Sequence, residues 1–294
     1  MTDVQTDTLT PFVIEHADIR GALVRLHETS RAILDCHDYP PAVRRALAEL
    51  IAAAALLAST LKMKGSLVVQ LSGDGPLRLL VVECNDALEL RATAQWSQAD
   101  IEALPRDASL SALAGDPANS RLVLTLDPRD AGAMYQGIVA LEGESIAASL
   151  EHYLKTSEQL ASRLVLSSSN ARAAGIIVQR LPSSGRDEDA MWGRLIEQLG
   201  SAERLLDGDD VHATLHALFP ADDVRVFDSR PVAFRCRCSR ARAENALRIA
   251  GVDEIEAAIA ERGDVEVACE FCNHRYTFTP AQARSLFAAE DTRH

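Results

Sequence analysis

Cys236-Arg237-Cys238 begins a set of four closely spaced cysteines that Cys269-Glu270-Phe271-Cys272 completes near the end of this 294-residue chain. Structural zinc sites prefer four thiolate ligands in tetrahedral geometry, and two close pairs of cysteines are a common way to supply them. The pattern therefore predicts one Zn²⁺ per chain in the reduced state, with all four sulfurs as ligands. Two unrelated thiol pairs in a reduced core would not explain the spacing.

The residues around these cysteines predict a small C-terminal zinc-binding unit over 231–294. Asp253 and Glu256 resemble a capping box at the start of a helix, and Gly263 would end that helix. The second cysteine pair lies in a predicted β-turn and would form a hairpin knuckle. The expected elements are helices over 239–250 and 253–262 and strands over 265–268 and 275–278.

This unit has too few large apolar residues to hold a fold by packing alone. Metal binding worth about 10–16 kcal/mol would supply the missing stability. The unit therefore depends on its metal. Most of its large apolar residues are Leu247, Ile249, Ile255, Ile259, Phe278, Leu286 and Phe287.

The same cysteines predict a fold that depends on redox state. Peroxide and hypochlorite attack thiolates and give a sulfenic acid, which condenses with a nearby thiol to form a disulfide. Each cysteine has another within two or three residues, and a disulfide does not ligate zinc as a thiolate does. Oxidation would therefore release the metal and unfold the unit.

Four arginines flank the first cysteine pair. Zinc with four thiolates carries net negative charge, so nearby guanidinium groups would stabilise the site and favour thiolate over thiol. The alternative is a basic surface patch without a redox role. These arginines are Arg235, Arg237, Arg240 and Arg242.

Residues 1–181 predict an α+β core domain, with helices packed on a mostly antiparallel sheet. Residues 87–95 alternate apolar and polar side chains, which indicates a strand with one face in water. Helices are expected over 40–62, which begins with two prolines, and over 145–160. Further strands are expected over 22–26, 67–71, 77–83, 122–126, 134–141, 162–167 and 175–181.

Residues 182–230 predict a helical linker rich in acidic side chains, opened by the chain-breaking stretch Pro182-Ser183-Ser184-Gly185. Two short amphipathic helices are expected, with Asp210 as the N-cap of the second. The segment is either an ordinary connector or a linker that folds only while a neighbour holds it. The apolar stripes are Met191, Trp192, Leu195, Ile196 and Leu199, followed by Val211, Leu215, Leu218 and Phe219.

Charge and composition narrow the possible functions. With 47% hydrophobic and 25% charged residues the chain is typical of globular proteins. A net charge of −13 repels phosphate, and 4% aromatic residues leave few base-stacking surfaces, so nucleic acid is an unfavourable partner. No signal peptide is visible, and the longest apolar stretch, 51–58, is too short to cross a bilayer. We therefore expect a cytoplasmic protein without a membrane partner, with its thiols kept reduced.

The chain resembles the redox-regulated heat-shock chaperone family known as the 33 kDa chaperonin. The resemblance is strongest around the cysteines, over 234–240 and 269–276. Tyr135-Gln136-Gly137-Ile138-Val139 and Ser157-Glu158-Gln159 support it, and the layout matches over the whole chain.

Two positions depart from the family pattern. Asn273 follows the last cysteine, where family members usually have glycine. Asparagine also tolerates a left-handed backbone, so the turn is expected to survive. Ala241 replaces an expected acidic residue, which bears on redox sensitivity rather than on metal binding.

The resemblance implies an ATP-independent holdase in the bacterial cytoplasm that is inactive while reduced and zinc-bound. Oxidation, often together with heat, would form the disulfides Cys236–Cys238 and Cys269–Cys272 and release zinc. The C-terminal unit and the linker would then unfold, and a homodimer would bind unfolding client proteins. Such activity needs apolar surface that appears on demand, so the two linker stripes are the candidate client-binding residues.

Two other classes of function remain open. One is a zinc ribbon that binds nucleic acid through the arginine cluster, against the acidic charge of the chain. The other is a thiol–disulfide oxidoreductase, whose Cys-x-x-Cys should follow a strand and open a helix, whereas strand-like residues lie on both sides here. The sequence nominates no catalytic residue, and we expect no enzyme.

The remaining thiols and histidines have simpler interpretations. Cys84 ends an apolar strand and is expected to be buried. Cys36 has an acidic and histidine neighbourhood but no predicted triad. His212 and His216 are expected to be a solvated or partly buried pair rather than metal ligands, and His274 is expected to lie outside the four-thiolate set.

Overall fold

The chain divides into two units, Met1–Arg235 and Cys236–His294, each with its own apolar core. The predicted functional division into 1–181, 182–230 and 231–294 stays a prediction. The computed structural model describes residues 7–61, 64–129, 132–141, 145–169, 172–182, 188–200, 208 and 210–288.

The described strands of the first unit form two six-stranded sheets. In chain order the strands are β1 (Thr8–Ile14), β2 (Ile19–Leu26), β3 (Gly65–Ser72), β4 (Leu77–Asn85), β5 (Glu89–Trp96), β6 (Arg121–Pro128), β7 (Tyr135–Ala140), β8 (Ser162–Ser169), β9 (Arg172–Arg180), β10 (Val224–Val226), β11 (Arg230–Pro231) and β12 (Ala233–Phe234). The first sheet has the order β10-β1-β2-β9-β8, with β11 also paired to β1, and the second has the order β12-β5-β4-β3-β6-β7. All neighbours are antiparallel except β12 and β5, which are parallel.

The central helix of this unit is α2, which contacts strands of both sheets. It begins at Pro41, where proline is well tolerated, and its buried face includes Leu50 and Ile51. A 3₁₀ turn covers Glu15–Ala17. In chain order the helices are α1 (Glu28–Leu34), α2 (Pro41–Thr60), α3 (Gln98–Ile101), α4 (Leu110–Ala114), α5 (Ile146–Thr156), α6 (Glu188–Gln198) and α7 (Val211–Leu218).

The α+β class is confirmed, and so is each expected strand and helix of the core within a few residues. On β5 the apolar face expected for residues 87–95 is buried. Several elements were not expected, among them β1, which contains Pro11, the short helices α1, α3 and α4, and the short strands β10, β11 and β12. β10 lies inside the predicted linker and β11 spans its predicted end at residue 230, and both pair with β1 of the first sheet. Residues 183–187, which include most of the predicted chain break, lie outside the described residues.

Asp7 links residues near both ends of the first unit to the start of α1 through hydrogen bonds. Its carboxylate accepts hydrogen bonds from the backbone N–H groups of His27, Glu28 and Thr29, which lack partners within the helix. Its backbone carbonyl accepts the N–H of Val232, whose own carbonyl accepts the Thr29 hydroxyl. The chain just before the cysteines is therefore tied into the core.

The second unit packs three helices on a two-stranded hairpin. Ser239 caps the first helix by accepting the Arg242 N–H, and Gly263, at a φ of 86°, ends the second. The capping box expected at Asp253 is wrong, because α9 begins directly after Gly251, whose φ is 93° and which has no side chain to cap the helix. Its elements are α8 (Arg240–Ala250), α9 (Val252–Arg262), β13 (Val265–Ala268), β14 (Arg275–Phe278) and α10 (Pro280–Ala288).

Within the described ranges, none of the helices combines the length and the apolar character that crossing a bilayer requires.

Candidate metal centre

The four cysteines of the second unit converge on one point. Their sulfur atoms all lie within 4.8 Å of one another, and all four thiols are free. The Sγ atoms of Cys236 and Cys269 are 3.7 Å apart, and those of Cys238 and Cys272 are 3.5 Å apart. A zinc ion with Zn–S bonds of about 2.3 Å would sit in a tetrahedron with edges of about 3.8 Å. The cluster therefore has the donor type and spacing of a four-coordinate metal site.

Two local structures bring the sulfurs together. Cys236 and Cys238 lie in the extended stretch just before α8, and Cys269 and Cys272 lie in the turn between β13 and β14. In that turn the Cys269 N–H donates to the His274 carbonyl and the Asn273 N–H donates to the Cys269 carbonyl. The expected hairpin knuckle is confirmed.

Asn273 has a φ of 55°, the left-handed conformation expected at this position. Asparagine adopts this conformation at a lower cost than most residues other than glycine. The departure from the family's glycine therefore leaves the turn intact.

Tyr276 is a neighbour of the cluster that the sequence reasoning missed. Its hydroxyl donates a hydrogen bond of 3.2 Å to the Sγ of Cys238, and this bond lowers the pKa of the Cys238 thiol. The same bond raises the pKa of Tyr276 to about 12. The signal available was the hairpin register, which places Tyr276 opposite Val267, two residues before the second cysteine pair.

The other shifted thiols favour their protonated form in the absence of a cation. Desolvation by burial raises the pKa of Cys236 and of Cys272. A bound divalent cation reverses this preference, because it stabilises the thiolate directly. At Cys236 and Cys272 a bound cation would therefore offset the cost that burial imposes on the thiolate.

Arg240 and Arg235 are among the flanking arginines that contact groups other than the sulfurs. The Arg240 guanidinium lies 4.2 Å from the centre of the Phe278 ring and donates to the Thr277 carbonyl. In the first unit, Arg235 pairs with Glu89 at 3.4 Å. Arg237 and Arg242 are exposed. The expected electrostatic support of the thiolates by these arginines stays a prediction.

The linker stripes lie on the face of the first sheet that α6 and α7 cover. Leu195, Leu199, Leu215, Leu218 and Phe219 are buried, and Met191, Trp192, Ile196 and Val211 are partly buried against them. Their partners on the sheet are Phe12, Ile14, Ile19, Leu23, Ala174, Ile176 and Val178.

Polar contacts also hold the two linker helices in place. Asp210 caps α7, as expected, by accepting the N–H groups of His212 and Ala213. The Asp222 carboxylate accepts hydrogen bonds from Arg194 and His16, which joins α6 to the turn after β1. The candidate client-binding residues are therefore covered in this state, and their role stays a prediction.

The remaining thiols and histidines lie away from the cluster. Cys84 is fully buried in β4, as expected, and burial raises its pKa to about 12. Cys36 is half-buried, with its Sγ 3.1 Å from the Ala32 carbonyl. His212, His216 and His274 are exposed. Among the described residues no second group of histidine, cysteine or acidic side chains has metal-binding spacing.

Comparisons with known proteins agree with the resemblance inferred from the sequence. A protein-family model described as "Hsp33 protein" matches residues 7–279. The "33 kDa chaperonin" of Methylobacillus flagellatus is 42% identical over 290 residues, covering 97% of this chain and 96% of the relative. That of Chromobacterium violaceum is 43% identical over 298 residues, covering 98% of each.

A solved structure has the same fold. The crystal structure of the 33 kDa chaperonin (heat shock protein 33 homolog) from Thermotoga maritima superposes with a TM-score of 0.81. It covers 97% of this chain and 99% of its own, at 22% identity. By its family model and its relatives of above 40% identity over almost their full length, the chain belongs to the Hsp33 family of chaperones.

Proposed function

We propose that this chaperone is a redox-regulated, ATP-independent holdase that binds unfolding proteins after its four-cysteine centre is oxidised. The observation that carries the proposal is the convergence of four free sulfurs within 4.8 Å in a unit with a very small apolar core. Membership of the Hsp33 family favours this function over the zinc-ribbon and oxidoreductase alternatives.

The reduced state holds one Zn²⁺ through Cys236, Cys238, Cys269 and Cys272. Four thiolates at tetrahedral spacing are typical of structural zinc, and the ion supplies charge neutralisation and a cross-link between the two cysteine pairs. The unit's buried core consists of Ala243, Leu247, Ile255, Val265, Phe278 and Ala283 among the described residues. Because so little apolar surface is buried, loss of the cross-link unfolds the unit.

Oxidation supplies the switch. A thiolate attacks peroxide and becomes a sulfenic acid with release of hydroxide. A second thiol then attacks that sulfur, and a disulfide forms with loss of water. Overall, one peroxide and two thiols give one disulfide and two waters.

The pairing of the sulfurs decides the outcome. Disulfides Cys236–Cys238 and Cys269–Cys272 would leave the two cysteine pairs unconnected, so the unit opens. Two short sulfur distances in this structure run the other way, 3.7 Å from Cys236 to Cys269 and 3.5 Å from Cys238 to Cys272. Disulfides along those distances would keep the two pairs cross-linked, so the proposed switch requires the pairing within each motif.

Client binding then uses the apolar face that the linker covers. Release of α6 and α7 uncovers the residues of both stripes together with Phe12 and Ile176 on the sheet. Apolar patches of this kind bind unfolding proteins, and the acidic charge of the chain keeps a loaded complex in solution. We propose a homodimer as the active form and the cytoplasm, where thiols are kept reduced, as the compartment.

The experiment follows metal release and chaperone activity together. Reduced, zinc-loaded protein is treated with peroxide at mild heat while a colorimetric chelator reports zinc and light scattering reports aggregation of a heat-denatured client. We expect about one zinc per chain to be released as client aggregation becomes suppressed, and non-reducing peptide mapping to find the disulfides within each motif. Cys36→Ser is the matched control and should switch normally. Activation with zinc retained, or cross-motif disulfides in the active form, would contradict the proposal.

A further inference from the structure

The linker covers an edge of the first sheet as well as its face. β10 pairs antiparallel with β1, in the register Phe12↔Val226, Val13↔Arg225 and Ile14↔Val224. On its other side β1 pairs with β2. The outer edge of β1 is therefore completed by linker residues.

The hydrogen bonds define which groups of β1 face the linker. The Phe227 N–H donates to the Pro11 carbonyl at 3.0 Å. Hydrogen-bonded pairs alternate in an antiparallel ladder, so Val13 and Arg225 form the next such pair. Proline has no N–H, so this edge offers the Pro11 carbonyl and both backbone groups of Val13.

β10 has the chemistry of an exposed segment of an unfolding protein. Val224 and Val226 pack against the apolar cluster that contains Phe12 and Ile14. Arg225 lies on the opposite side of the strand and pairs with Glu15 at 3.0 Å. The strand is extended, apolar at alternate positions, and basic between them.

The neighbouring strands β11 and β12 are held differently. Val232 is buried in the main core of the first unit, and its N–H donates to the Asp7 carbonyl. Phe234 packs against the same core. β10 packs only on the smaller cluster formed with α6 and α7. Release of the linker helices therefore vacates the edge next to residues 11–14 first.

We propose that the edge of β1 at residues 11–14 is a client-binding site, which takes an extended client segment by strand addition in place of β10. The proposal rests on the proposed function, because β10 must leave before a client can enter. Exposed strand edges pair readily with extended peptides, and backbone hydrogen bonds give affinity that does not depend on one client sequence. β10 is then an internal stand-in for a client, and the preferred client segment alternates apolar residues around a basic one.

The test uses the full-length oxidised protein and a fluorescent peptide of residues 221–230. Two N-methylated versions differ only in which edge of the peptide is blocked. Methylation at Arg225 removes the N–H that faces Val13, whereas methylation at Val226 removes an N–H that points away from β1. Side chains and charge are the same in all three peptides.

We expect the parent peptide to bind the oxidised protein, to leave the reduced protein unbound, and to compete with a heat-denatured client. Methylation at Arg225 should weaken binding by about tenfold, the effect of roughly one lost hydrogen bond with its steric clash. Methylation at Val226 should leave the dissociation constant nearly unchanged. Fluorescence anisotropy measures all three.

The failures of the two proposals differ. Equal weakening by both methyl groups, or no peptide binding to a sample that suppresses client aggregation, would overturn the strand-addition site and leave the holdase. An oxidised sample that does not suppress aggregation would overturn the holdase and, with it, the site.

Discussion

The first unit packs α2 against strands of two six-stranded sheets, whereas the apolar core of the second unit has six buried residues within 236–288, and its four cysteine sulfurs lie within 4.8 Å of one another. Burial of Leu50, Ile51 and the alanines around them needs no metal, because apolar area removed from water stabilises the fold directly. The second unit buries far less apolar area. Under the proposed function, one chain thus combines a part that stays folded on oxidation with a part that depends on coordination by reduced cysteines.

Removal of a sulfur ligand should have the largest effect on the second unit relative to the first. Cys238→Ser should remove most of the metal-binding free energy, about 10 kcal/mol, and so unfold the second unit while the first stays folded. Hydrogen exchange read by mass spectrometry should show loss of protection over 236–288 and unchanged protection in α2. Cys36→Ser, at a half-buried thiol outside the cluster, is the control. Protection retained in α8 would show that the unit folds without its metal.

A cavity in the first unit should destabilise that unit and leave metal binding by the second unit unchanged. Leu50→Ala removes a fully buried side chain in α2 and should lower the free energy of unfolding of that unit by about 3–5 kcal/mol. Metal affinity, measured by chelator competition, should not change. Ile138→Ala, at a side chain that is 64% exposed, should cost less than about 0.5 kcal/mol. A shared loss of stability and metal affinity would mean that the two units are not independent.

A substitution at Tyr276 tests how much its hydrogen bond to one sulfur contributes to metal affinity. Tyr276→Phe removes the hydrogen bond to the Cys238 sulfur and should lower metal affinity by about tenfold or more. The pKa of Cys238 should rise at the same time, because this bond is the main cause of its lowered value. Chelator competition at several pH values measures both effects. Tyr135→Phe, in the first unit, should change neither.

The sequence predicted best those elements that local chemistry determines. The hairpin of β13 and β14 has the expected bounds, because the convergence of its two cysteines with Cys236 and Cys238 leaves little freedom for the turn between the strands. The α8 boundary follows from the Ser239 cap. β5 follows from strict alternation of its side chains.

The elements that were missed depend on partners far along the chain. β1 contains Pro11, which lowers the strand signal, yet the missing N–H lies on the side of β1 that faces the short strand β10, where the Pro11 carbonyl still accepts the Phe227 N–H. β10 and β11 are two or three residues long and exist only because β1 offers an edge. Ile249 was counted among the apolar residues of the second unit but is 78% exposed, since its position on α8 faces solvent.

The site residues also divide into those that local sequence predicts and those that depend on the folded structure. Cysteine spacing alone predicted the four-sulfur cluster, whereas Tyr276 reaches Cys238 through the fold of the hairpin and had no spacing signal. The arginines were expected near the thiolates because they are adjacent in sequence, but Arg240 turns to Phe278. Adjacency along the chain does not determine where a long side chain points.

The smallest expected effect concerns how each unit responds to acid. In the first unit, hydrogen bonds from the Asn119 side chain and the Asp116 N–H lower the pKa of Asp74 below its ordinary 3.8. A carboxylate whose pKa is lowered by folding stabilises the fold at pH values above its ordinary pKa. This contribution is lost as the pH falls through the lowered pKa of the folded state. Asp74→Ala should therefore lower the melting temperature slightly at pH 7, and this difference should begin to shrink near pH 3.8 and vanish only below the lowered folded-state pKa.

Asp38→Ala, at an exposed acid, is the control for the loss of charge. The second unit should lose its structure at a higher pH than the first, because protons compete with the metal for all four thiolates. The melting temperature of the first unit is measured from pH 7 to pH 3, and metal release is recorded in the same samples. We expect the melting temperature of the first unit to fall gradually and the metal of the second unit to be released abruptly. If the two units lost structure at the same pH, coordination would not be what distinguishes them.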